Sequence, residues 1–348
     1  MWKKIVMGIL VLISGFAGFF AAKAQVTLNS TLNHIQRDYD TALKNVDLKG
    51  IKVNSEENIV NILVVGNDYR EEKGYYASGL TDTMIIATID MKHGTLKLTS
   101  LMRDMVVDIP DNGQNKLNAA NSFGGIELLY RTIAQNFNIE LDGYVEVGFE
   151  AFEKVVNSVG GVEVELTESE AEYLNTTNYI SKKKFRNVKV GKQTLNGNQA
   201  LGYCRIRKGG TTITGLRDDY GRTWRQRTVI KAVFDKVKKL SMSQWLDIAN
   251  EVLGEYVKTD LSNDDIVGYM KDVVMMGTTE MHQLQIPIEG YYRSGESGEY
   301  SCGSCLVMTD GVGTERTSYA NAEALNQFIF DYDGQEDFVY GTYTLKRD

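Results

Sequence analysis

The chain has 348 residues, of which 43% are apolar, and its formal net charge is −8. That length and apolar content are enough for one large hydrophobic core. Proteins that bind nucleic acid need a basic surface, so the acidic balance excludes nucleic acid as a partner.

The N-terminus, MWKKIVMGILVLISGFAGFFAAKAQ, has the pattern of an export signal. Residues 5–22 are 18 uncharged, mostly apolar positions, near the minimum for a single transmembrane helix. Two lysines precede this run, so residues 1–4 should stay cytoplasmic and the rest lie outside the membrane. A cleaved signal peptide is the alternative, because the AKA that ends the run fits a cleavage site. Both interpretations place the body of the protein outside the cell membrane.

Residues 23–54 are predicted to form a membrane-proximal helical stalk. Their apolar residues recur at helical spacing, and no proline or glycine interrupts them before Gly50. The apolar positions are Leu28, Leu32, Ile35, Tyr39 and Leu43.

Strand-like and helix-like segments then alternate through a domain predicted over 55–290. Strands are predicted near 61–65, 84–90, 94–101, 144–148 and 162–166, and helices near 125–136, 149–158, 196–203, 220–240, 243–254 and 263–275. This alternation predicts an α/β fold or α+β sandwich with a central sheet. Residues 291–348 are either a C-terminal extension or a flap of the same domain.

Cys302 and Cys305 lie close together in SCGSCLV. In an exported protein such a pair usually forms a local disulfide, which is the interpretation we favour. Free thiols are an alternative, as is a redox or zinc site. A redox pair would open a helix, whereas a strand-like segment follows here, and a zinc site would need a second pair. Cys204 is predicted to be a small buried residue.

The sequence lacks the motifs of several catalytic classes. None of the three histidines lies beside a candidate nucleophile and there is no G-x-S-x-G motif, which argues against Ser-His-Asp chemistry. No P-loop or glycine-rich dinucleotide motif occurs either.

Arginine is unevenly distributed, with six of the fourteen arginines inside residues 205–227. Arg205 and Arg207 are two positions apart and would share one face of a strand. Planar guanidinium groups bind phosphate through paired hydrogen bonds, so several that converge would suit a pyrophosphate. A solvated, ion-paired surface is the alternative interpretation.

The same region contains a predicted helix. Arg222 and Gln226 are four apart and would share a face of this helix, whose start Asp218 or Asp219 could cap. Arg225 and Arg227 should point elsewhere, and Arg227 is expected to be solvated. An apolar stripe continues the helix and is either ordinary core or one wall of a lipid channel. It consists of Val229, Ile230, Val233, Phe234 and Val237.

Charged residues also follow the predicted strands. Asp68 and Asp82 flank the loop between two strands, which can bring their carboxylates together as oxygen ligands for Mg²⁺. Each could instead only cap a turn. Arg103-Asp104 follows a later strand and Lys116 precedes a helix. One shared edge of the sheet would explain all these positions.

Seven segments together resemble the LytR-CpsA-Psr (LCP) family in order and approximate spacing, over about residues 58–290. They are NILVVGNDYR, TDTM, SLMRD, KLNAA, VNSVGGVEV, LNGNQALGYCRIR and DDYGRTWRQR. The resemblance implies a mixed central sheet flanked by helices, with an apolar tunnel for lipid. It implies a phosphotransferase at the outer face of a Gram-positive membrane. The donor would be a glycan (teichoic acid, capsule or another wall polymer) on polyprenyl pyrophosphate, and the acceptor peptidoglycan.

The resemblance also assigns residues. The metal-binding aspartates of the family match Asp68 and Asp82, which would hold Mg²⁺, with Mn²⁺ as an alternative. Its pyrophosphate-binding residues match Arg70, Arg103, Arg205, Arg207, Arg222 and Gln226. We add Lys116 to this group. Asp104 or a metal-site aspartate is the predicted base for the acceptor hydroxyl.

Two positions depart from the family pattern. Leu80 stands where the family usually has an arginine, and Met102 replaces a proline. The missing guanidinium could weaken pyrophosphate binding. Two alternatives to the transferase remain, of which Leu80 suggests the second. One is a hydrolase that cleaves polyprenyl pyrophosphates with the same site, and the other is a non-catalytic protein that binds lipid or cell wall.

Overall fold

The structure, a computed structural model, describes residues 30, 32–33, 35–38, 42–67, 81–240, 244, 248, 257–278 and 280–346. The predicted anchor, residues 5–22, lies outside them. So does most of the helix predicted over 243–254, of which residues 244 and 248 are described and are helical. Within the described ranges, no helix is both long enough and apolar enough to cross a membrane.

A seven-stranded mixed sheet organises the domain. In chain order, the strands of this sheet and of the small two-stranded sheets in the described ranges are β1 (Gln36–Arg37), β2 (Ile59–Asn67), β3 (Thr83–Asp90), β4 (Thr95–Leu101), β5 (Val106–Ile109), β6 (Gly113–Lys116), β7 (Gly143–Gly148), β8 (Val162–Leu166), β9 (Gly191–Leu195), β10 (Val257–Thr259), β11 (Met281–Ile286), β12 (Tyr292–Ser294), β13 (Leu306–Met308), β14 (Phe338–Tyr340) and β15 (Tyr343–Leu345). The order across the large sheet is β1-β10-β7-β2-β3-β4-β11. β3 is antiparallel to both its neighbours, whereas β2 is parallel to β7 and β4 to β11. The predicted mixed central sheet is confirmed.

Helices cover both faces of this sheet. In chain order they are α1 (Leu117–Phe137), α2 (Phe149–Ser158), α3 (Glu168–Thr176), α4 (Gly197–Arg205), α5 (Asp218–Val237), α6 (Asn263–Met276) and α7 (Tyr319–Asn326). α1 and α7 contribute to the core on one face, and α5 and α6 pack on the other. The short turns are 3-10 helices at Leu43–Asn45 and Lys183–Phe185, and a π-helical turn at Gln327–Asp331.

The side chains of β3 show how the layers are held together. Successive side chains of a strand point to opposite faces of its sheet. Met84 and Ile86 lie in the core that α1 and α7 share. Ile85 packs instead with Phe234 of α5 and Val273 of α6. Because both faces are covered, this strand is a continuous apolar run in the sequence.

α4 extends to a residue that the sequence suggested was in a strand. The helix begins with a capping box, in which the Gln199 backbone N–H donates to Asn196 Oδ1 at 3.0 Å and the Asn196 N–H donates to Gln199 Oε1 at 3.1 Å. It then runs to Arg205, and Arg207 lies in the loop that follows. The expectation that Arg205 and Arg207 share one face of a strand is therefore wrong.

The helical stalk predicted over 23–54 also differs from the structure where its residues are described. β1 pairs in parallel with β10 at the edge of the large sheet. Leu32 and Ile35 are buried with Val257 of β10, and Leu43 lies in the main core. Residues 30 and 32 are helical, but the apolar residues of this segment are buried against the domain and do not form a separate stalk.

The C-terminal residues 291–346 share the main hydrophobic core. Leu325 of α7, Phe328 and Phe338 are buried in the same cluster as Tyr130 and Phe137 of α1. The rings of Phe328 and Phe338 meet edge to face, with 5.3 Å between their centroids. This segment is therefore built into the domain.

The three cysteines are free thiols in this structure, and Cys204 is buried as expected. Burial raises the pKa of Cys305 to about 11, helped by a hydrogen bond with Cys302. The two thiols are thus in contact, and the disulfide between them stays a prediction.

A buried ion pair joins the sheet to the C-terminal segment. Lys97 of β4 and Asp90 of β3 are both inaccessible to solvent, and Lys97 Nζ lies 2.7 Å from Asp90 Oδ2. Lys97 Nζ also donates to the Ile329 carbonyl at 2.9 Å. Its ammonium lies 5.9 Å from the centroid of the Phe328 ring and 5.8 Å from that of Tyr332.

Lys97→Met should lower the free energy of unfolding by about 3–5 kcal/mol, because Asp90 is then left charged and buried without its partner. Urea unfolding followed by circular dichroism measures the change. Lys92→Met is the matched control, since Lys92 forms an exposed pair with Glu56 at 3.0 Å and should cost less than about 1 kcal/mol. Equal losses for the two variants would show that the buried pair has no special role.

Candidate active site

The end of the sheet where β2 stops and β3 starts carries the site. Gly66 lies opposite Thr83 in this antiparallel pair. A Cβ at Gly66 would lie only 2.9 Å from the Cβ of Thr83, so the close approach requires glycine. Asp82 directly precedes β3, and its side chain is 48% exposed at the mouth of the sheet.

The turn after β4 brings a second carboxylate and two cations. Arg103 donates a hydrogen bond from Nη1 to Asp82 Oδ1, and its Nε lies 3.4 Å from Asp104 Oδ2. The β5–β6 hairpin returns Lys116 to this turn, because Val106 pairs with Lys116. Lys116 Nζ then lies 3.1 Å from Asp104 Oδ1.

The first turns of α5 add three more side chains. Asp219, Arg222 and Gln226 are spaced by three and four residues and share one face of the helix. Arg222 Nη2 lies 2.9 Å from Asp219 Oδ1, and Nη1 lies 3.9 Å from Asp82 Oδ1. Gln226 Nε2 donates to Thr83 Oγ1 at 2.9 Å. The shared face predicted for Arg222 and Gln226 is present and points to the mouth of the sheet.

Arg207 connects the two halves of the site. Its Nη2 donates to Asp219 Oδ2 at 2.6 Å and lies 3.8 Å from Asp104 Oδ2. Asp219 therefore joins Arg207 to Arg222. Sequence reasoning gave Asp219 only a capping role, although its spacing of three residues before Arg222 was a usable signal.

We call these seven residues the charge network. Four cationic groups alternate with three carboxylates, which leaves one positive charge uncompensated within the described part of the chain. Its members are Asp82, Arg103, Asp104, Lys116, Arg207, Asp219 and Arg222.

The network shifts the proton affinities of its members. Burial would lower the pKa of Arg103, but the carboxylates of Asp82 and Asp104 raise it above its ordinary value. Burial would raise the pKa of Asp104, but Arg103 and Lys116 hold it below its usual range. Burial lowers the pKa of Arg222. Asp104 therefore stays ionised and accepts a proton poorly.

Two donors in the network lack acceptors. Nε of Arg103 and Nε of Arg222 are buried and donate no hydrogen bond to any described residue. A buried donor left unsatisfied costs about 1–3 kcal/mol. Unsatisfied guanidinium donors and a surplus positive charge together favour an oxygen-rich anion as ligand.

Arg205 lies at the same end of the sheet but outside the charge network. Its guanidinium lies over two rings, 5.0 Å from the centroid of Phe149 and 5.8 Å from that of Tyr179. Phe149 directly follows β7, whose end pairs with the end of β2. Arg205 is half-buried and forms no ion pair with a described carboxylate, so of the predicted arginines it is the one the structure holds by aromatic contacts.

The C-terminal segment, residues 291–346, closes one side of the site. The Leu306 backbone N–H donates to the Asp104 carbonyl at 2.8 Å. The Tyr292 ring of β12 stacks on Tyr220 of α5, with 5.5 Å between centroids. Residues beyond 290 thus fix the backbone that carries Asp104 and the helix that carries Arg222.

Asp68, Arg70 and Leu80 lie outside the described residues. In the part of the chain that is described, no group of three or more His, Cys, Asp or Glu residues could hold a metal ion. Asp82 is available as one ligand. Its Oδ1 faces Arg103 and Arg222, while its Oδ2 accepts no hydrogen bond from a described residue. A half-exposed carboxylate with an oxygen that no described residue bonds suits a hard cation.

An apolar cavity of about 780 Å³ lies on the α5–α6 side of the sheet. β3, β7 and β10 form its floor, and the two helices form its walls. The residues that line it include Ile89, Val145, Val237, Met270, Val273 and Val274.

The predicted apolar stripe of α5 divides between core and cavity. Phe234 and Val237 line the cavity. Val229 and Val233 pack instead in a second core with α3 and α4. Ile230 packs on the sheet, between the cavity and Gln226.

Comparison with known proteins places the chain in a family. The LytR_cpsA_psr family model matches residues 20–305. Polyisoprenyl-teichoic acid–peptidoglycan teichoic acid transferase TagT of Bacillus subtilis (strain 168) is 31% identical over 285 residues, or 81% of this chain and 85% of TagT. The corresponding transferase TagU of Enterococcus faecalis (strain ATCC 700802 / V583) is 36% identical over 244 residues, or 68% of this chain and 72% of TagU.

A solved structure gives the same result. The structure described as TagT bound to LIIa-WTA superposes with a TM-score of 0.61 at 25% identity, covering 81% of this chain and 97% of that one. The family match spans most of the chain, and the relatives match over most of their own length. The chain belongs to the LytR-CpsA-Psr family.

Proposed function

We propose that this protein transfers a glycopolymer from polyprenyl pyrophosphate to peptidoglycan and releases polyprenyl phosphate. The observation that carries the proposal is that α5 and β3 both run from the charge network at the end of the sheet to the apolar cavity on its face. The donor joins a pyrophosphate to a long prenyl chain, and it needs both surfaces in one site. Ion binding or lipid binding alone would need only one of them.

α5 and β3 connect the two surfaces. Gln226 of α5 contacts Thr83 beside the charge network, whereas Val237 lines the cavity. These two α5 residues are about 16 Å apart along the helix axis, at 1.5 Å per residue. β3 runs the same way, from Thr83 at the network to Ile89 at the cavity. A prenyl chain attached to a pyrophosphate in the network would follow this route.

The relatives support the same chemistry. TagT and TagU are named as transferases that move teichoic acid from a polyisoprenyl carrier to peptidoglycan. Teichoic acid is therefore the first polymer to test, with capsule or another wall glycan as alternatives. Because the acceptor is in the cell wall, the domain must act outside the membrane. Residues 5–22 would anchor it there.

The reaction is a phosphoryl transfer. The oxygen of a sugar hydroxyl bonds to the phosphorus that carries the glycan, and the bond from that phosphorus to the bridging oxygen breaks. Polyprenyl phosphate leaves, and the hydroxyl proton passes to a carboxylate. Arg103, Arg207, Arg222 and Lys116 hold the pyrophosphate oxygens and offset the charge that develops on them. Arg205, at the same sheet end, would add a further guanidinium.

The base is better assigned to the metal-site aspartates than to Asp104. Asp104 contacts Arg103, Lys116 and Arg207, which keep it ionised. A carboxylate held this way positions cations and accepts protons poorly. We therefore assign Asp104 a positioning role. Asp82 is also bonded by Arg103, so of the two metal-site aspartates the proton is assigned to Asp68.

Mg²⁺ is proposed as the cofactor, held by Asp82 together with Asp68. The open Oδ2 of Asp82 is the structural support for this. A bound divalent cation would neutralise part of the pyrophosphate charge. Mn²⁺ is the alternative metal.

Arg222→Gln should lower kcat/KM for transfer by about 10²–10³-fold, as expected for removal of one donor to the developing charge. The assay measures glycan attached to peptidoglycan and polyprenyl phosphate released. Arg217→Gln is the matched control, since Arg217 is exposed and its guanidinium bonds only the Thr211 hydroxyl, at 3.0 Å. Circular dichroism checks that both variants fold.

The same assay separates transfer from its alternatives. Release of polyprenyl phosphate at an equal rate without peptidoglycan would identify a hydrolase instead. Binding of the donor without any turnover in Mg²⁺ would identify a non-catalytic protein. Unchanged transfer by Arg222→Gln would contradict the proposed role of the charge network.

Val273→Trp should fill part of the apolar cavity and raise KM for a long-chain prenyl donor about tenfold or more. Each methylene of the prenyl chain that the tryptophan keeps out of the cavity costs about 0.8 kcal/mol of binding free energy. A donor with a short prenyl chain should be affected less, because it occupies less of the cavity. Val312→Trp is the control, at a position that is 96% exposed. Equal KM changes for short and long donors would place the prenyl chain elsewhere.

A further inference from the structure

A second pocket, of about 340 Å³, lies on the other side of α5 at the β11 edge of the sheet. We call it the Arg227 pocket. It is unlike the apolar cavity, because cationic, aromatic and hydroxyl groups line it. Its main lining residues are Trp224, Arg227, Lys231, His282, Tyr332 and Lys346.

Arg227 is the unusual member of this pocket. The expectation that it is solvated is wrong, because only 5% of it is exposed. Its Nη1 donates to Ser100 Oγ at 2.7 Å and its Nε to Gln283 Oε1 at 3.2 Å. Both acceptors are neutral. Nη2 donates to no described residue, and no described carboxylate lies within ion-pair distance of the guanidinium.

Arg225, two residues earlier, is a buried arginine with a complete set of partners and serves as the comparison. It is also fully buried, but its Nε donates to Glu170 Oε1 at 2.7 Å. Its remaining nitrogens donate to the carbonyls of Ile206 and Gly210, at 3.1 and 2.9 Å. Arg225 is thus neutralised and satisfied within the protein, whereas Arg227 is neither.

A buried charge without a counter-charge is costly, and proteins usually pair it. Burial lowers the pKa of Arg227 to about 10, so it is still protonated at neutral pH. The open Nη2 and the cavity beside it leave room for an external anion to supply the missing charge. Lys231 and Lys346 line the same space. Glu280 Oε2 lies 3.9 Å from Nε2 of the lining residue His282.

The aromatic residues suggest what is attached to that anion. Trp224 is half-buried, and Tyr332 meets His282 edge to face with 5.2 Å between centroids. Aromatic rings give a flat apolar contact surface with a polar edge. Thr214 and Thr228 place hydroxyl groups around the same pocket. Flat rings, hydroxyls and a guanidinium together match the apolar face, hydroxyls and phosphate of a sugar phosphate.

The pocket lies close to the charge network. Arg227 and Arg222 are on the same helix, about 7 Å apart along its axis at 1.5 Å per residue. β11 links them as well, since Gln283 contacts Arg227 and Gln285 accepts a hydrogen bond from Thr223, the residue after Arg222. β11 therefore connects the turn of α5 that carries Arg222 with the Arg227 pocket.

We propose that the Arg227 pocket is a subsite for a phosphorylated sugar unit of a polyanionic glycan. Its guanidinium binds the phosphate through Nη2, and Trp224 packs against the sugar. The assignment of that unit to the donor polymer rests on the proposed function, whereas binding of a sugar phosphate does not.

The binding experiment uses the full chain with Trp2→Phe and Trp245→Phe, which leaves Trp224 as the single tryptophan. α-D-glucose 1-phosphate is titrated while Trp224 fluorescence is recorded, with glucose and inorganic phosphate as separate titrations. We expect glucose 1-phosphate to change the fluorescence with a Kd at least tenfold lower than either single component. Arg227→Gln should raise that Kd at least tenfold.

Arg207→Gln separates this pocket from the active site, because Arg207 belongs to the charge network. It should leave the Trp224 titration unchanged. A titration lost in Arg207→Gln and kept in Arg227→Gln would overturn the proposal. Equal affinity for inorganic phosphate would overturn the sugar-phosphate assignment.

Thermal unfolding provides the second measurement. A ligand that binds only the folded state stabilises it and raises Tm, by an amount that grows with the ratio of ligand concentration to Kd. Glucose 1-phosphate should raise the Tm of the parent protein and of Arg207→Gln, but not that of Arg227→Gln. If Arg227→Gln does not fold, Lys231→Gln replaces it and should weaken binding by a smaller factor. An unchanged Kd in that variant, with no ligand-induced shift in Tm, would overturn the proposal.

Transfer kinetics then test the polymer. With the proposed function correct, Arg227→Gln should raise KM for a donor with many phosphorylated units and leave a donor with a single sugar unit unchanged. If no transfer occurs in any variant, the proposed function fails while the fluorescence result stands. If transfer occurs and KM for both donors is unchanged, the pocket does not bind the donor polymer.

Discussion

The alternation of guanidinium and carboxylate groups at the end of the sheet is the interaction on which the site depends. Two like charges 4 Å apart repel by about 4 kcal/mol at an effective dielectric constant of 20. Four cations could not share this space without the acids between them. Arg103 lies between two carboxylates, and Asp219 lies between two arginines. The carboxylates therefore allow the cations to lie close together. The one surplus positive charge then attracts an anion to the site.

The fold supplies this network from separate parts of the chain. The close β2–β3 pairing sets Asp82, the turn after β4 sets Arg103, and α5 brings Arg222 down onto both. The same helix then forms a wall of the apolar cavity and, on its other side, of the Arg227 pocket. One rigid helix thus relates three surfaces of different chemistry. A substrate with a lipid, a pyrophosphate and a sugar polymer has these three parts in one molecule.

The sequence predicted the four central strands β7, β2, β3 and β4, because a strand buried on both faces is an apolar run, as in β2 and β3. It did not predict β1, β10 or β11. The sequence also predicted most of the network, because charged residues recur directly after strands and the family resemblance selects Arg103, Arg207 and Arg222. Other features depend on tertiary contacts that a pattern does not contain. The burial of Arg227 is one, since helical spacing gives its direction but not what covers it. The end of α4 at Arg205 is another such feature, although the sequence contains the capping box at Asn196 and Gln199 that marks the start of this helix. Leu32 and Ile35 show that apolar spacing can fit a helix and still belong to a chain packed along a sheet.

The C-terminal segment, residues 291–346, changes the position at which this domain should be considered to end. Similarity to the family stops at residue 305, but α7 and the turn after it fill the main core, and the Ile329 carbonyl completes the surroundings of Lys97. A polypeptide cut at the family boundary would leave the apolar face of α1 open to water and a buried ammonium short of one acceptor. The folded unit is therefore longer than the region that the family model matches, and the residues after 305 belong to its interior, not to a tail.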